Sequence, residues 1–233
     1  LETKGFVADA EWCTLGEANY WASKLLDLAA GREVVKNPHL RLPDLLTFLT
    51  SAAMRTLVQP LLGPLLAIEN VFVMVKYPDT EFAVPWHQDG INDLVELDPI
   101  RSVAVWIALT AATHQSGCLE VIPGSHQDGY RKPSEDETAG SPTRGTPLST
   151  SISGLPSDHT FLELEPGRAC LLDMRTIHRS ATNRSAQPRV GVNIRYVGPG
   201  AYRYAADDKE EPAPATKGWT HGLARSRVGL REE

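Results

Sequence analysis

The spacing of apolar residues changes character once along the chain, near residue 63. Before that point apolar side chains recur every three or four residues. Tyr20, Trp21, Leu25, Leu26 and Leu28 do so between Glu17 and Ala30, and Leu45, Leu46, Phe48, Leu49, Met54, Leu57 and Leu61 follow. That period lines one face of a helix. Pro43 suits the first turn of the second pattern, Gly63 its end, and Pro60 a bend or early stop. A helical portion is expected over about 1–63.

From Leu65 onward the rhythm is that of strands. Leu66 to Tyr77 is rich in Val and Phe. Between Arg101 and Leu109 the alternation puts Val103, Val105, Ile107 and Leu109 on one face and Ala104, Trp106 and Ala108 on the other. Gln115-Ser116-Gly117 reads as a turn, with Cys118 to Ile122 returning as a hairpin partner. Phe161 to Leu172 reads as a second pair around Pro166-Gly167. Arg189 to Val197 is the last clear strand. It places Arg189, Gly191, Asn193 and Arg195 on one face and Val190, Val192, Ile194 and Tyr196 on the other. The apolar face can pack on helices, which leaves the polar face to line an interior. Short strands joined by Gly/Pro turns, with helices at one end, predict a mostly β sandwich or barrel carrying N-terminal helices on its outside.

Two stretches break the rhythm. Gln127 to His159 is rich in Ser, Thr, Pro, Gly and charge. So long an irregular segment within a domain is either a disordered stretch or a functional lid, and 127–159 is the candidate lid. A polar tail is expected over about 205–233. At 233 residues the chain suits one domain, with its β core over about 64–204.

Composition narrows the function classes. A net charge of −6 argues against a broad nucleic-acid-binding surface. Cys13, Cys118 and Cys170 show no paired spacing, which fits a reducing compartment and a cytoplasmic location. Cys118 and Cys170 lie in strand-like text and are expected to be buried. The longest apolar run, Val103 to Ala112, is far short of the ~20 residues that cross a bilayer, so no membrane span is expected. The expected partner is a small-molecule substrate; oligomeric state is not legible.

The chemistry concentrates in Val84-Pro85-Trp86-His87-Gln88-Asp89-Gly90. His87 and Asp89, two apart in an extended segment, share one side of it. His178 follows the apolar run Ala169-Cys170-Leu171-Leu172-Asp173. Two imidazoles and one carboxylate make the ligand set of a non-haem Fe(II) facial triad, which leaves three metal positions for substrate chemistry. A His-x-Asp pair alone is weak; its surroundings give it weight.

Those surroundings resemble the phytanoyl-CoA dioxygenase (PhyH) family of Fe(II)/2-oxoglutarate-dependent oxygenases. The likeness runs from about Phe72 to Tyr196. It includes Lys76-Tyr77-Pro78, Trp86-His87-Gln88-Asp89, Val105-Trp106-Ile107-Ala108-Leu109, Gly117-Cys118-Leu119, Pro123-Gly124-Ser125-His126, Pro166-Gly167, His178-Arg179-Ser180 and Asn183-Arg184-Ser185 ahead of Arg189. The resemblance implies a double-stranded β-helix, a cupin-like jelly roll. It implies that His87, Asp89 and His178 ligate iron and that Arg189 pairs with the far carboxylate of 2-oxoglutarate, a planar donor fork suiting a carboxylate. Lys76, Ser180 and Trp106 are further candidates for the cosubstrate pocket, and Asn183 can help orient Arg189. Arg195 competes with Arg189 by type but lies about 20 Å along the strand, so a substrate anion or a strand cap is its alternative. His126 is expected to fix its turn rather than bind metal, and His114, His159 and His221 to be exposed.

One position departs from the family. Gly191 stands where many relatives carry Ser, which removes one hydrogen bond to the cosubstrate or leaves it to Ser180 or Asn183. The implied reaction consumes O2 and 2-oxoglutarate, gives succinate and CO2, and oxidises, most often hydroxylates, an unactivated C–H of a small metabolite or natural-product intermediate. The intact Asp89 argues against halogenation, because related halogenases lack that carboxylate. Lys132, Arg131 and Arg144 can contribute a basic patch for an acyl-CoA. A cupin-like metal hydrolase or isomerase and a non-catalytic jelly-roll binding module are the rival readings.

Overall fold

The computed structural model describes residues 1–78, 80–91, 95–132, 134–135, 148–205 and 210–212. The chain opens with strand β1 (Phe6–Glu11) and helix α1 (Leu15–Ala29). Strand β2 (Val34–Lys36), a short 3-10 turn, and helices α2 (Pro43–Leu49), α3 (Ala52–Leu57) and α4 (Gln59–Leu62) follow. Then come β3 (Ala67–Lys76), β4 (Val84–His87), β5 (Val95–Leu97), β6 (Ser102–Ala108) and β7 (Leu119–Val121). After a second 3-10 turn at Ser125–Asp128 come the two-residue strands β8 (Ser134–Glu135) and β9 (Leu148–Ser149), then β10 (Thr160–Leu162), β11 (Arg168–Asp173), β12 (His178–Ser180) and β13 (Arg189–Val197). The described part ends in β14 (Tyr202–Ala205) and β15 (Glu210–Pro212).

Two antiparallel sheets form the jelly roll. The larger has the order β1-β11-β6-β13-β3-β2 and the smaller β10-β7-β12-β4. In the larger sheet Val190, Val192, Ile194 and Tyr196 of β13 are all buried. They share a face with Val71, Val73 and Val75 of β3 and with Val103, Val105 and Ile107 of β6, across which the registers run. This apolar face meets the helices: Tyr196 donates its hydroxyl to the carbonyl of Leu49 in α2 at 2.6 Å, and β13 also packs on α1. The opposite, polar face of β13 lines the interior, as its alternation predicts.

Helix α1 starts with a capping box, in which the Thr14 hydroxyl accepts from the Glu17 amide and the Glu17 side chain accepts from the Thr14 amide. It ends at Ala30 and Gly31, both in left-handed backbone. Its buried face is Ala18, Trp21, Leu25 and Ala29, whereas Tyr20 is largely exposed. Truncating a side chain as enclosed as Leu25 to Ala costs roughly 2–5 kcal/mol. The second helical pattern breaks into α2, α3 and α4, with Pro60 near the start of the last and Gly63 closing it.

Four expectations change. The portion read as helical over 1–63 also contains β1 and β2. Both are edge strands whose partners, β11 and β3, lie far along the chain, so no local pattern marks them. Cys118 to Ile122 is not a hairpin partner of the preceding strand: β7 pairs with β10 and β12 in the smaller sheet. Phe161 to Leu172 is likewise split, β10 joining β7 and β11 joining β6 and β1. The turns are real, but each carries the chain from one sheet to the other. Finally, β14 and β15 extend strand structure into the expected tail. Of the expected lid, 133 and 136–147 lie outside the described residues, as do His221, Arg144 and 213–233. Cys118 and Cys170 are buried as expected, and burial pushes their thiols up to about 11 and about 12. Among the described residues no helix is long and apolar enough to cross a membrane.

Candidate active site

His87 ends β4 and His178 opens β12, and the two are directly paired across the smaller sheet. Paired residues of antiparallel strands share a face, so both imidazoles turn to the interior, with ring centroids 4.2 Å apart. Asp89 lies just past the end of β4, where the Gly90 amide donates to the Met174 carbonyl at 3.0 Å. One ligand atom from each of His87, Asp89 and His178 lies within 4.8 Å of the others. His87 Nε2 is 3.9 Å from Asp89 Oδ1, and His178 Nε2 is 3.8 Å from Oδ2.

The backbone sets the state of both rings. His87 Nδ1 is 2.9 Å from the Pro85 carbonyl, and His178 Nδ1 is 2.9 Å from the Thr176 carbonyl. A carbonyl only accepts, so each Nδ1 carries a proton, and each Nε2 is left facing Asp89. Orienting a ligating imidazole through its far nitrogen is the usual arrangement around a bound metal. Burial opposes the charge of Asp89. Arg195 first, then the two imidazoles and Asn193, override it and hold the carboxyl well below its ordinary range. Two imidazoles and a carboxylate, all convergent, suit one iron(II).

Asp89 is the hub of contacts that the motif does not announce. Arg195 Nη2 donates to Oδ1 at 2.9 Å, and Asn193 Nδ2 lies 3.2 Å from Oδ1 and 3.0 Å from Oδ2. Arg195 is therefore neither a strand cap nor exposed; it is buried against the triad's carboxylate. Glu69 Oε2 lies 3.7 Å from its Nη1. The register of β13 with β3 slips here, Arg195 opposing Asn70 and Tyr196 opposing Ile68, which leaves Glu69 as the extra residue of a bulge. Gln88, between two of the triad residues, is also buried. Its amide donates to the carbonyls of Gly129 (2.9 Å) and Arg175 (2.7 Å), and its oxygen accepts from the Arg131 amide (2.8 Å). The polar alternation of β13 was the only sequence signal for Asn193 and Arg195; Glu69 and Gln88 had none.

Arg189, Lys76 and Trp106 come together further along the same interior face. Arg189 opposes Lys76 across β13 and β3. The guanidinium is wholly buried; Nη2 donates to the Gly117 carbonyl at 2.8 Å, while Nε and Nη1 have no partner. Its carbon lies 5.1 Å from the Trp106 ring centre. Burial pushes Arg189 down only to about 10, so it is charged at neutral pH. Lys76 is pushed down to about 6, mainly by burial and then by Arg189, and its amine donates to the carbonyls of Phe82 (2.9 Å) and Ser180 (3.2 Å). A buried cation with two unpartnered nitrogens fits a carboxylate ligand.

The remaining candidates divide. Ser180 meets Lys76 through its backbone. The Asn183 amide is spent on the carbonyls of Lys76 and Gln187, and its oxygen accepts from Ser185, so it fixes a turn instead of reaching a ligand. His126 Nε2 is 2.8 Å from the Glu2 carbonyl, which ties the N-terminus to the turn as expected. His114 is exposed, but His159 is half-buried, 2.9 Å from Glu120 and edge-on to Trp86. Arg131 is occupied by Asp128 and by the carbonyls of Ser151 and Ser153.

A family model described as "Phytanoyl-CoA dioxygenase (PhyH)" matches residues 23–191. The chain belongs to the phytanoyl-CoA dioxygenase family. The family's enzymes are non-haem oxygenases that use iron and 2-oxoglutarate. The "Phytanoyl-CoA dioxygenase domain-containing protein 1 homolog" of Dictyostelium discoideum is 27% identical over 132 residues, which cover 56% of this chain and 46% of that protein. The chain spans about half the length of the curated relatives it matches. Among solved structures, EvdO2 from Micromonospora carbonacea var. aurantiaca complexed with 2-oxoglutarate superposes with a TM-score of 0.69 at 21% identity, over 92% of each chain. The epimerase SnoN in complex with Fe3+, alpha ketoglutarate and nogalamycin RO gives 0.69 at 19%, over 86% of this chain and 82% of that one. At these identities the likeness speaks for the jelly-roll fold of the family member.

Proposed function

We propose that this chain is an iron(II)- and 2-oxoglutarate-dependent oxygenase that hydroxylates an unactivated C–H of a small metabolite or natural-product intermediate. The observation that carries the reading is one interior, between the two sheets, that holds both halves of such a site. His87, Asp89 and His178 converge within 4.8 Å, and buried Arg189 offers two unpartnered nitrogens beyond them. Family membership supports the choice of iron and 2-oxoglutarate. SnoN, crystallised with nogalamycin RO, is the neighbour that suggests a natural-product scaffold as substrate.

His87 and His178 would hold the metal through Nε2 and Asp89 through a carboxylate oxygen. Bound iron supplies oxygen activation coupled to decarboxylation of 2-oxoglutarate to succinate and oxidation of the substrate. Arg189 would pair with the distal carboxylate of 2-oxoglutarate through its guanidinium, with Lys76 beside it and the Trp106 indole as the pocket floor. Ser180 would act by holding Lys76. The burial of Asp89, His178 and Arg189 would limit water at the reacting atoms, and the intact Asp89 favours oxygenation over halogenation.

Anaerobic titration of the iron-loaded protein with 2-oxoglutarate tests this. A weak visible charge-transfer band is expected in the wild type. Arg189→Ala should weaken cosubstrate binding by 30-fold or more, as truncating one side of a buried charge pair costs about 2–5 kcal/mol. Metal binding without any 2-oxoglutarate binding would favour a hydrolase or isomerase. Binding of neither would leave a jelly-roll binding module.

A further inference from the structure

Asp89 is gripped at both oxygens by residues outside the His87–Asp89–His178 triad. Asn193 and Arg195, on the inner face of β13, make every contact just described to its carboxylate. Oδ1 accepts two of these hydrogen bonds and Oδ2 one. Each carboxylate oxygen offers about two lone-pair sites, so Oδ1 is filled while Oδ2, 3.8 Å from His178 Nε2, keeps one free.

We propose that Asn193 and Arg195 are positioning residues that fix Asp89 as a single-oxygen metal ligand presenting Oδ2. The inference rests on the metal-site reading above. A carboxylate free to turn can chelate through both oxygens and occupy one more metal position. Occupying Oδ1 with an arginine and an amide prevents this and keeps that position open for small ligands.

Arg195 is itself anchored for the task. The bulge in β3 brings Glu69 to the inner side, where regular alternation would turn it away from Asn70. Its carboxylate then faces Arg195 Nη1 at 3.7 Å, and the Phe72 ring centre lies 5.7 Å from the guanidinium carbon. The guanidinium sits between two carboxylates, so its buried charge is offset from both sides. Among the described residues Arg189 has no carboxylate partner, which separates the two arginines of β13 by role: one holds a protein carboxylate, the other awaits a ligand's.

Cobalt(II) serves as the probe, titrated anaerobically into the full chain and followed by calorimetry and by the visible d–d bands of the bound ion. The wild type should bind one ion. Asn193→Ala and Arg195→Gln should each weaken binding 10- to 100-fold, the usual scale for outer-shell partners of a metal ligand. Both should change the d–d bands as the carboxylate turns, and Arg195→Lys should recover part of the affinity. Near-UV circular dichroism establishes that each variant is folded. Asn193→Ala strands no charge, so it remains informative if Arg195→Gln does not fold. Variants that are folded, bind cobalt within twofold of the wild type and give unchanged bands would overturn the proposal. A wild type that binds no cobalt would overturn the metal site itself, and this inference with it.

Discussion

Gly191 and Trp106 share one volume: a Cβ built on Gly191 would lie 2.4 Å from Cζ2 of the Trp106 indole and 3.1 Å from Nη1 of Arg189. The strand position two after Arg189 is glycine in this chain, and a tryptophan from β6 occupies the space a side chain there would take. Indole and glycine form one unit that shapes the floor under Arg189.

That relationship predicts a rescue. Gly191→Ser should lower stability by about 1–3 kcal/mol, the cost of forcing extra atoms into a packed interior. It should also displace Arg189 and weaken 2-oxoglutarate binding. Adding Trp106→Phe to the same chain should return most of both losses. Urea unfolding and cosubstrate titration read the two effects; a double variant no better than Gly191→Ser alone would refute the shared-volume account.

Lys76 predicts a proton-linked cosubstrate site. Folding lowers its pKa from 10.5 to about 6, so at pH 7–8 the folded protein holds a neutral amine whose two N–H groups match its two carbonyl partners. An entering carboxylate favours the charged form, so binding should take up a proton, and 2-oxoglutarate affinity should fall as pH rises above about 6. Calorimetry in buffers of different ionisation enthalpy measures that uptake. Equal heats in all buffers would place Lys76 outside the cosubstrate pocket.

The same shift has a consequence for the ligand-free protein. Between about 6 and 10.5 the unfolded chain carries a proton on Lys76 that the folded chain lacks, so this group makes stability rise with pH across that window. Lys76→Met should be more stable than the wild type at pH 7 and should lose that part of the slope. Thermal unfolding at several pH values decides it.

Gln88 predicts a link between the triad and the segment after Ser125. Gln88→Ala would leave two buried carbonyls and one amide without their partner, a loss of roughly 1–3 kcal/mol for each group that water cannot reach. The expected result is a lower melting temperature and faster proteolytic cleavage near Gly129, with the triad residues themselves intact. Wild-type cleavage rates in the variant would show that the segment is held by other contacts.

Much of the site was legible because its determinants are local. His87 and Asp89 declare themselves by a spacing of two, and β13 shows its two faces by alternation. The helix cap at Thr14 and the stop at Gly63 are read from a few neighbouring residues. Local pattern does not say which strand a strand will join. The turns at Gln115-Ser116-Gly117 and Pro166-Gly167 look like hairpins, yet both carry the chain between sheets.

By its sequence alone this protein is committed to a β-rich sandwich or barrel with N-terminal helices, a His-Asp-His ligand set and an arginine on a polar strand face. Those features follow from residue type and period, which act over a few positions. Only the tertiary structure decided what Arg195 does, because its partners Asp89 and Glu69 reach it across sheets and through a bulge. Only packing decided that Gly191 yields its space to Trp106, since exclusion of one side chain by another depends on atoms that the chain brings together only when folded.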